Sequence, residues 1–403
     1  MTLEIALAVV IGILAGTFTG LFPGIHINLV AAFLISSLTF FDFLQPISLA
    51  AFIVAMAITH TFIDFIPSVF LGAPEEESFL AVLPGHQLLR EGKGFEACVM
   101  IFYGALIALP IILIFTFVFV YFLPSFYGIF RTIIPYILIF ASLYLIFREE
   151  SFLTSLTVFT FAGILGYLAF NLPVEEPLLP LLTGLFGISG LLISVKNKVS
   201  IPKQKIIPVR KIKLKRKNFL KASFASFIVA PFCSFLPGIG SGHASVIASE
   251  ILGKSANDKK TFLFLVGAVN VIVMALSFVT LYAIGRTRSG AAAAVGKIIG
   301  EMKVFDLISI ILIIFISGIV SFFIGIFLAE RFSHWITKIN YTKLSYFVIG
   351  LLIFVNLLLS NLSGLFVLIV SSTLGVYAIL SGARRINLMG SLIIPTVVFY
   401  LTV

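Results

Sequence analysis

The chain has 403 residues, 60% of them hydrophobic and only 11% charged. Soluble domains lie near 45–50% apolar and about 25% charged, so a water-soluble globular protein is excluded. The net charge of +10 raises nucleic acid as a partner, but the placement of the charges along the chain attributes it to membrane orientation.

Apolar runs rich in Phe, Leu, Ile and Val recur without period-2 alternation, so they read as membrane helices and not barrel strands. Seven precede a basic linker, at about 4–22, 26–41, 46–72, 97–123, 130–147, 152–170 and 178–195. The first lacks a basic flank and a small-residue cleavage site, so it is expected to stay in the mature protein. It ends in "LFPGIHIN" (21–28), where proline and glycine stop a helix and the residues after them can restart one.

The third run holds "ITHTFIDF" (58–65), which sets His60 and Asp64 four apart on one helical face. Ionisable groups there are costly in lipid and face a cavity or each other. They are either a proton or sodium coupling site or an interhelical pair that fixes packing. An acidic loop comes next, "GAPEEESFLAVLPGHQLLREGKG" (72–94), whose Glu75–Glu77 read as a solvated charge run.

The stretch 196–221 carries eleven Lys or Arg and no acid, which assigns it to the cytoplasm. Alternating sides outward from it places 22 basic residues inside and 5 outside. Both termini then lie outside.

After the linker come runs at about 219–236, 242–252, 261–284, 304–329, 344–359, 363–381 and 388–402. The first two are separated by "SFLPGIGSGHAS" (234–245), which repeats the Pro-Gly-Ile of the first half. Run 242–252 would be only about 16 Å long as a helix, roughly half the hydrocarbon thickness, so it either re-enters or belongs to a broken helix. Asn270 lies near the depth of His60 and Asp64. The loop "GRTRSGAAAAVGKIIGEMK" (285–303) is basic and predicted outside. Its Arg286 and Arg288 either draw an anion to that mouth or are merely solvated. Arg384 and Arg385 read as inside anchors.

The matched rhythm predicts an all-α polytopic membrane protein made of two inverted-topology repeats. These are 1–195 and 219–403, each with about five to seven helices including a re-entrant or broken-helix hairpin, joined by a basic linker, 196–218. Such a build points to a secondary transporter with its site at the breaks. Freed helix N-termini form an anion cradle from Gly24, Ile25, His26 and Asn28 on one side and Gly238, Ile239, Gly240, Ser241, Gly242 and His243 on the other. His60, Asp64 and Asn270 are the coupling candidates, for protons or sodium. No cofactor, metal or nucleic acid is expected. An intramembrane enzyme using His60, Asp64 or His243 as acid or base is the different-class alternative, but no nucleophile or metal cluster accompanies them.

The paired Pro23–Ile25 and Pro237–Ile239 breaks and the block Gly72–Ala97 resemble the large membrane subunit of the tripartite tricarboxylate transporters, in a short form. The resemblance covers nearly the whole chain as architecture. It implies a transporter of a small tricarboxylate-like anion working with a small membrane subunit and an extracytoplasmic binding protein, in the cell membrane. Two positions depart from the pattern: His26-Ile27 stands where the family has two glycines, and Pro84 stands where it has an aspartate before a loop glycine. "PGIGSGHAS" is also similar to polyprenyl-phosphate carriers with paired re-entrant hairpins, which implies a lipid phosphate as the alternative anion. A homodimer is a further expected assembly.

Overall fold

A computed structural model of the chain describes residues 3–22, 44–73, 78–147, 149, 151–197, 201–236 and 240–402. All regular structure among them is helical, and nine helical runs are long and apolar enough to cross a membrane. The chain is a polytopic membrane protein.

In chain order the helices are α1 (Leu3–Leu21), α2 (Pro46–Ile63) running on as α3 (Phe65–Phe70), α4 (Phe79–Arg90), α5 (Gly94–Phe147) and α6 (Phe152–Asn171). Then α7 (Leu178–Leu182), a π-helical turn (Thr183–Ile188) and α8 (Ser189–Lys196) form one rod. Beyond the linker lie α9 (Arg216–Ser234), α10 (Ser241–Leu252), α11 (Lys259–Ile284), α12 (Gly290–Ile299), α13 (Val304–Ile336), α14 (Tyr341–Leu380) and α15 (Gly390–Thr402).

Helices α2–α3 and α11 form the centre. They are apolar on every face and buried on nearly every face, as a helix surrounded by other helices must be. Lipid is as apolar as these side chains, so the helices associate by close packing and not by escape from water. Helix α1 achieves this with glycines four apart. A Cβ on Gly12 would fall 2.5 Å from the Phe52 carbonyl oxygen, and one on Gly16 2.4 Å from that of Met56. Gly20 in turn abuts Ile63 and Asp64, so contacts advance together along both helices. Helices α1 and α2 therefore run in the same direction. The Gln45 N–H donates to Glu4 Oε1 at 2.9 Å, which levels the two starts.

The outer helices show their apolar side chains. Phe117, Phe122, Phe140, Phe323, Phe347 and Phe366 are all exposed, as a lipid-facing surface requires. The expected gap at 124–129 is helical instead, within the 54-residue α5. A straight helix of that length would measure about 80 Å, far more than a bilayer. Its first residue bonds to the linker, where Gly94 N–H donates to Gln204 Oε1 at 2.8 Å. Glu149, just past its end, pairs with Arg384, and Arg384 and Arg90 line one cavity. Both ends of α5 thus lie at the linker end, and the helix runs away and back. Pro110, Pro124 and Pro135 weaken the ladder that would keep it straight. Helix α14 breaks where the sequence suggests, at Asn361 (φ 57°, ψ −169°). The Asn361 side chain accepts from Ser363 N–H (3.0 Å) and donates to the Pro173 carbonyl (2.9 Å), so it caps the second piece.

Packing interleaves the chain's two halves. Helix α4 lies on α11, and α12 lies on α2. Helix α15 lies on α6, and the π-helical turn lies on α14. The Gln204 side chain also donates to the Leu89 carbonyl at 3.0 Å, and the Lys205 N–H to the Gly92 carbonyl at 2.8 Å. The linker is therefore fastened to the α4–α5 turn.

Candidate functional site

Gly24, Ile25, His26, Asn28, Gly238 and Ile239 lie outside the described residues, as do Glu75–Glu77. What is described of the second break is the start of α10. Gly240 precedes it in extended geometry (φ −83°, ψ 178°), and its N–H donates to His243 Nδ1 at 3.2 Å. A neutral His243 so held carries its proton on Nε2. That nitrogen makes no hydrogen bond of good geometry among the described residues, although the Leu392 carbonyl lies close to the ring.

Ser241 and Ser245 lie one turn apart on a shared face. Both are buried, and neither hydroxyl has a hydrogen-bond partner among the described residues. Buried polar groups are ordinarily satisfied, so a cluster of three such side chains at a helix start is unusual. Gly242 keeps the turn slim: a Cβ there would lie 2.7 Å from the Phe79 ring.

Arg288, half-buried at the α11–α12 turn, reaches Cys233 and His243 electrostatically. It thus adds positive charge to the positive end of the α10 dipole. Arg286 is exposed, with its guanidinium 6.0 Å from the centre of the Tyr127 ring. On α2, His60 is buried, and its Nδ1 lies 3.0 Å from Thr19 Oγ1 on α1. Asp64 is fully buried at the α2–α3 junction, and its N–H closes a helical turn on the His60 carbonyl at 2.9 Å. Thr59 accepts from Ser321 of α13 at 2.9 Å. Asn270, mid-way along α11, is buried with neither side-chain polar atom partnered among the described residues.

A second feature lies at the linker end, a cavity of about 630 Å³ between α4, the π-helical turn, α8 and the turn before α15. Its floor is a pair of rings, Phe79 and Phe186, with centroids 4.6 Å apart. Phe79 also meets Gly242, so the rings stand between this cavity and the start of α10.

Arg385, expected as an inside anchor, is instead half-buried in the cavity wall. Its Nη2 donates to the carbonyls of Leu185 (3.0 Å) and Phe186 (2.6 Å) and to Ser189 Oγ (3.0 Å). The wider π turn presents those carbonyls, and Phe186 lies under the guanidinium at 5.4 Å. On α4, His86 is joined at Nε2 to the Tyr341 hydroxyl at 3.1 Å. Its pKa is lowered to about 4, first by withdrawal from water, then by the charges of Arg385 and Arg90; the Val69 carbonyl pulls the other way. At the rim, hydrogen bonds from Lys259 and Lys93 hold the Glu91 carboxylate below its usual range.

The sequence alone does not single out Phe79, His86, Arg90 or Phe186. The glycines of "TGLFGI" (183–188) are the one local sign of an irregular turn there.

A bundle of apolar spans closed around a buried helix start with spare hydrogen-bonding groups is the build of a membrane transport protein. A model of the tripartite tricarboxylate transporter TctA family matches residues 6–390, and the chain belongs to that family. The family is one of secondary transporters and not of enzymes, and its members are the large membrane subunits of tripartite systems. The chain is also 32% identical over 409 residues to the uncharacterized protein MJ1079 of Methanocaldococcus jannaschii, covering 98% of each chain. No solved structure matches it.

Proposed function

We propose that the protein moves a small carboxylate, tricarboxylate-like in charge, by alternating access at a site between its two Pro-Gly breaks. The observation that carries this reading is the start of α10. The Ser241 and Ser245 hydroxyls there have no hydrogen-bond partner among the described residues, and His243 Nε2 has only the poorly aligned Leu392 carbonyl beside it. With Arg288 nearby, the free N–H groups of the first turn make a cradle for an anion. The residues Gly24–Asn28 and Gly238–Ile239 complete it from the two breaks. His60, Asp64 and Asn270 couple transport to protons or sodium, since a buried ionisable pair beside the path is the usual place for such coupling.

The two halves act as inverted repeats that rock against each other. The linker lies in the cytoplasm and the termini outside, with a small membrane subunit and a binding protein as partners.

The test is uptake of radiolabelled citrate into proteoliposomes. The wild type takes up citrate along an imposed ion gradient, and Ser241→Ala with His243→Ala removes more than about nine-tenths of the rate. Flipping of a labelled polyprenyl phosphate without citrate uptake would overturn the carboxylate assignment. Conversion of a lipid phosphate into an altered product would overturn transport itself.

A further inference from the structure

The linker-end cavity carries a charge pattern that the cradle at α10 does not explain. Four cationic side chains line it, and none of its described lining residues is Asp or Glu. Two of the four are already compensated: Arg384 pairs with Glu149, and Lys259 with Glu91 at 2.7 Å. The other two, Arg90 and Arg385, have no carboxylate partner among the described residues.

Arg385 spends one nitrogen on protein acceptors, leaving Nε without a partner among the described residues. A guanidinium half withdrawn from water with only neutral carbonyls beside it is incompletely satisfied, and an anion is what completes it. The remaining wall is mostly apolar, with Phe79, Phe186 and Leu191 prominent. It also includes the polar side chains of His86, Gln87, Ser194, Asn257 and Tyr341.

We infer that this cavity is a second anion site, a vestibule that holds the carboxylate or phosphate group of an organic anion between Arg385 and Arg90. The apolar part of the ligand lies against the ring pair. Two guanidinium charges with no carboxylate partner among the described residues suit a doubly charged group, and Arg385 is already fixed by its three bonds, so little freedom is lost on binding. The Phe79–Phe186 pair is then the barrier between vestibule and cradle. Its role as a stage in transport rests on the reading above, but its capacity to bind an anion does not.

A local probe separates the two. Leu83 lines the cavity and is 42% exposed, whereas Cys98 and Cys233 are buried. Leu83→Cys therefore gives a thiol that a polar maleimide labels in the cavity and nowhere else. In phosphatidylcholine nanodiscs, citrate is expected to slow labelling about tenfold. Nanodiscs containing phosphatidic acid, without citrate, test a lipid headgroup as the source of the same chemistry.

Protection by either, lost in Arg90→Gln and in Arg385→Gln, supports the site and names its source. Labelling that neither slows, or that is slowed equally in both variants, overturns it. If Arg385→Gln does not fold, Arg90→Gln decides, since Arg90 is exposed and its side chain bonds to no described residue. Protection without citrate uptake in the wild type sinks the transport reading and leaves the site standing. Uptake without protection does the reverse.

Discussion

Helices α4 and α12 are built to one plan and present opposite surfaces. Each comes after a glycine of positive φ, Gly72 (67°) and Gly285 (63°). Each begins at a serine tied to a serine of the preceding long helix, Ser78 to Ser68 at 2.7 Å and Ser289 to Ser277 at 2.8 Å. Yet α12 turns Ala291, Ala292 and Ala294 inward and packs tightly, and none of its residues lines the linker-end cavity. Helix α4 brings Phe79, His86 and Arg90 to that cavity and holds its walls apart. One scaffold thus serves as a closed seam in one place and an open mouth in the other. Side-chain size and charge decide which, not the backbone.

The strongest way to break that contrast is at the contact between the two features. Gly242→Leu drives a side chain into the Phe79 ring, which is itself buried, and overpacking of this kind forces backbone to move. Citrate uptake should fall more than about tenfold, with Gly242→Ala between it and the wild type.

Next come the serine latches. Ser68→Ala and Ser277→Ala should each lower stability by about 0.5–2 kcal/mol, read from unfolding in detergent. The Ser68 hydroxyl also lies 3.2 Å from the Ala73 carbonyl, so its loss is expected to cost more than that of Ser277. Equal costs would show that the extra contact contributes nothing.

The third effect is a pH slope. His86 titrates at about 4 in the folded chain, against about 6.5 for a free histidine. Between those values the unfolded chain binds more protons, so stability is full above about pH 6.5 and is lost as pH falls towards 4. Melting temperature should drop across that window, and His86→Gln should flatten this part of the drop. An unchanged slope would mean that other groups set it.

Glu91→Gln should have the smallest effect. Its bonds to Lys259 and Lys93 are at the surface, worth under about 1 kcal/mol and weakening with salt, as a titration with sodium chloride would reveal.

Much of the helical layout is legible because lipid demands long apolar runs, so 152–170 and 178–195 fall within a residue of α6 and of the α7–α8 rod. The break at Asn361 is visible as the polar gap between 359 and 363. The helical bend that joins the two passes of α5 is not, because proline reads as a boundary although membrane helices tolerate it. At the site, Ser241 and His243 stand out against an apolar background. Phe79 and Phe186 do not, being two of 44 phenylalanines with no local contrast. The burial of Arg385 escapes the sequence because its partners, Leu185 to Ser189, lie some two hundred residues earlier in the chain, and no local pattern records that meeting.

The π turn at Thr183–Ile188 has one more consequence. It is in effect one residue too many for an α-helix, stored as a bulge. Deleting that residue would restore the regular ladder and leave α8 near its present phase, because the wide turn already absorbs the extra residue. The Leu185 and Phe186 carbonyls, which now accept from Arg385, would close on their own helix. A single lost codon would thereby unseat a side chain that no substitution had touched, so this rod should tolerate conservative replacement far better than a change of length.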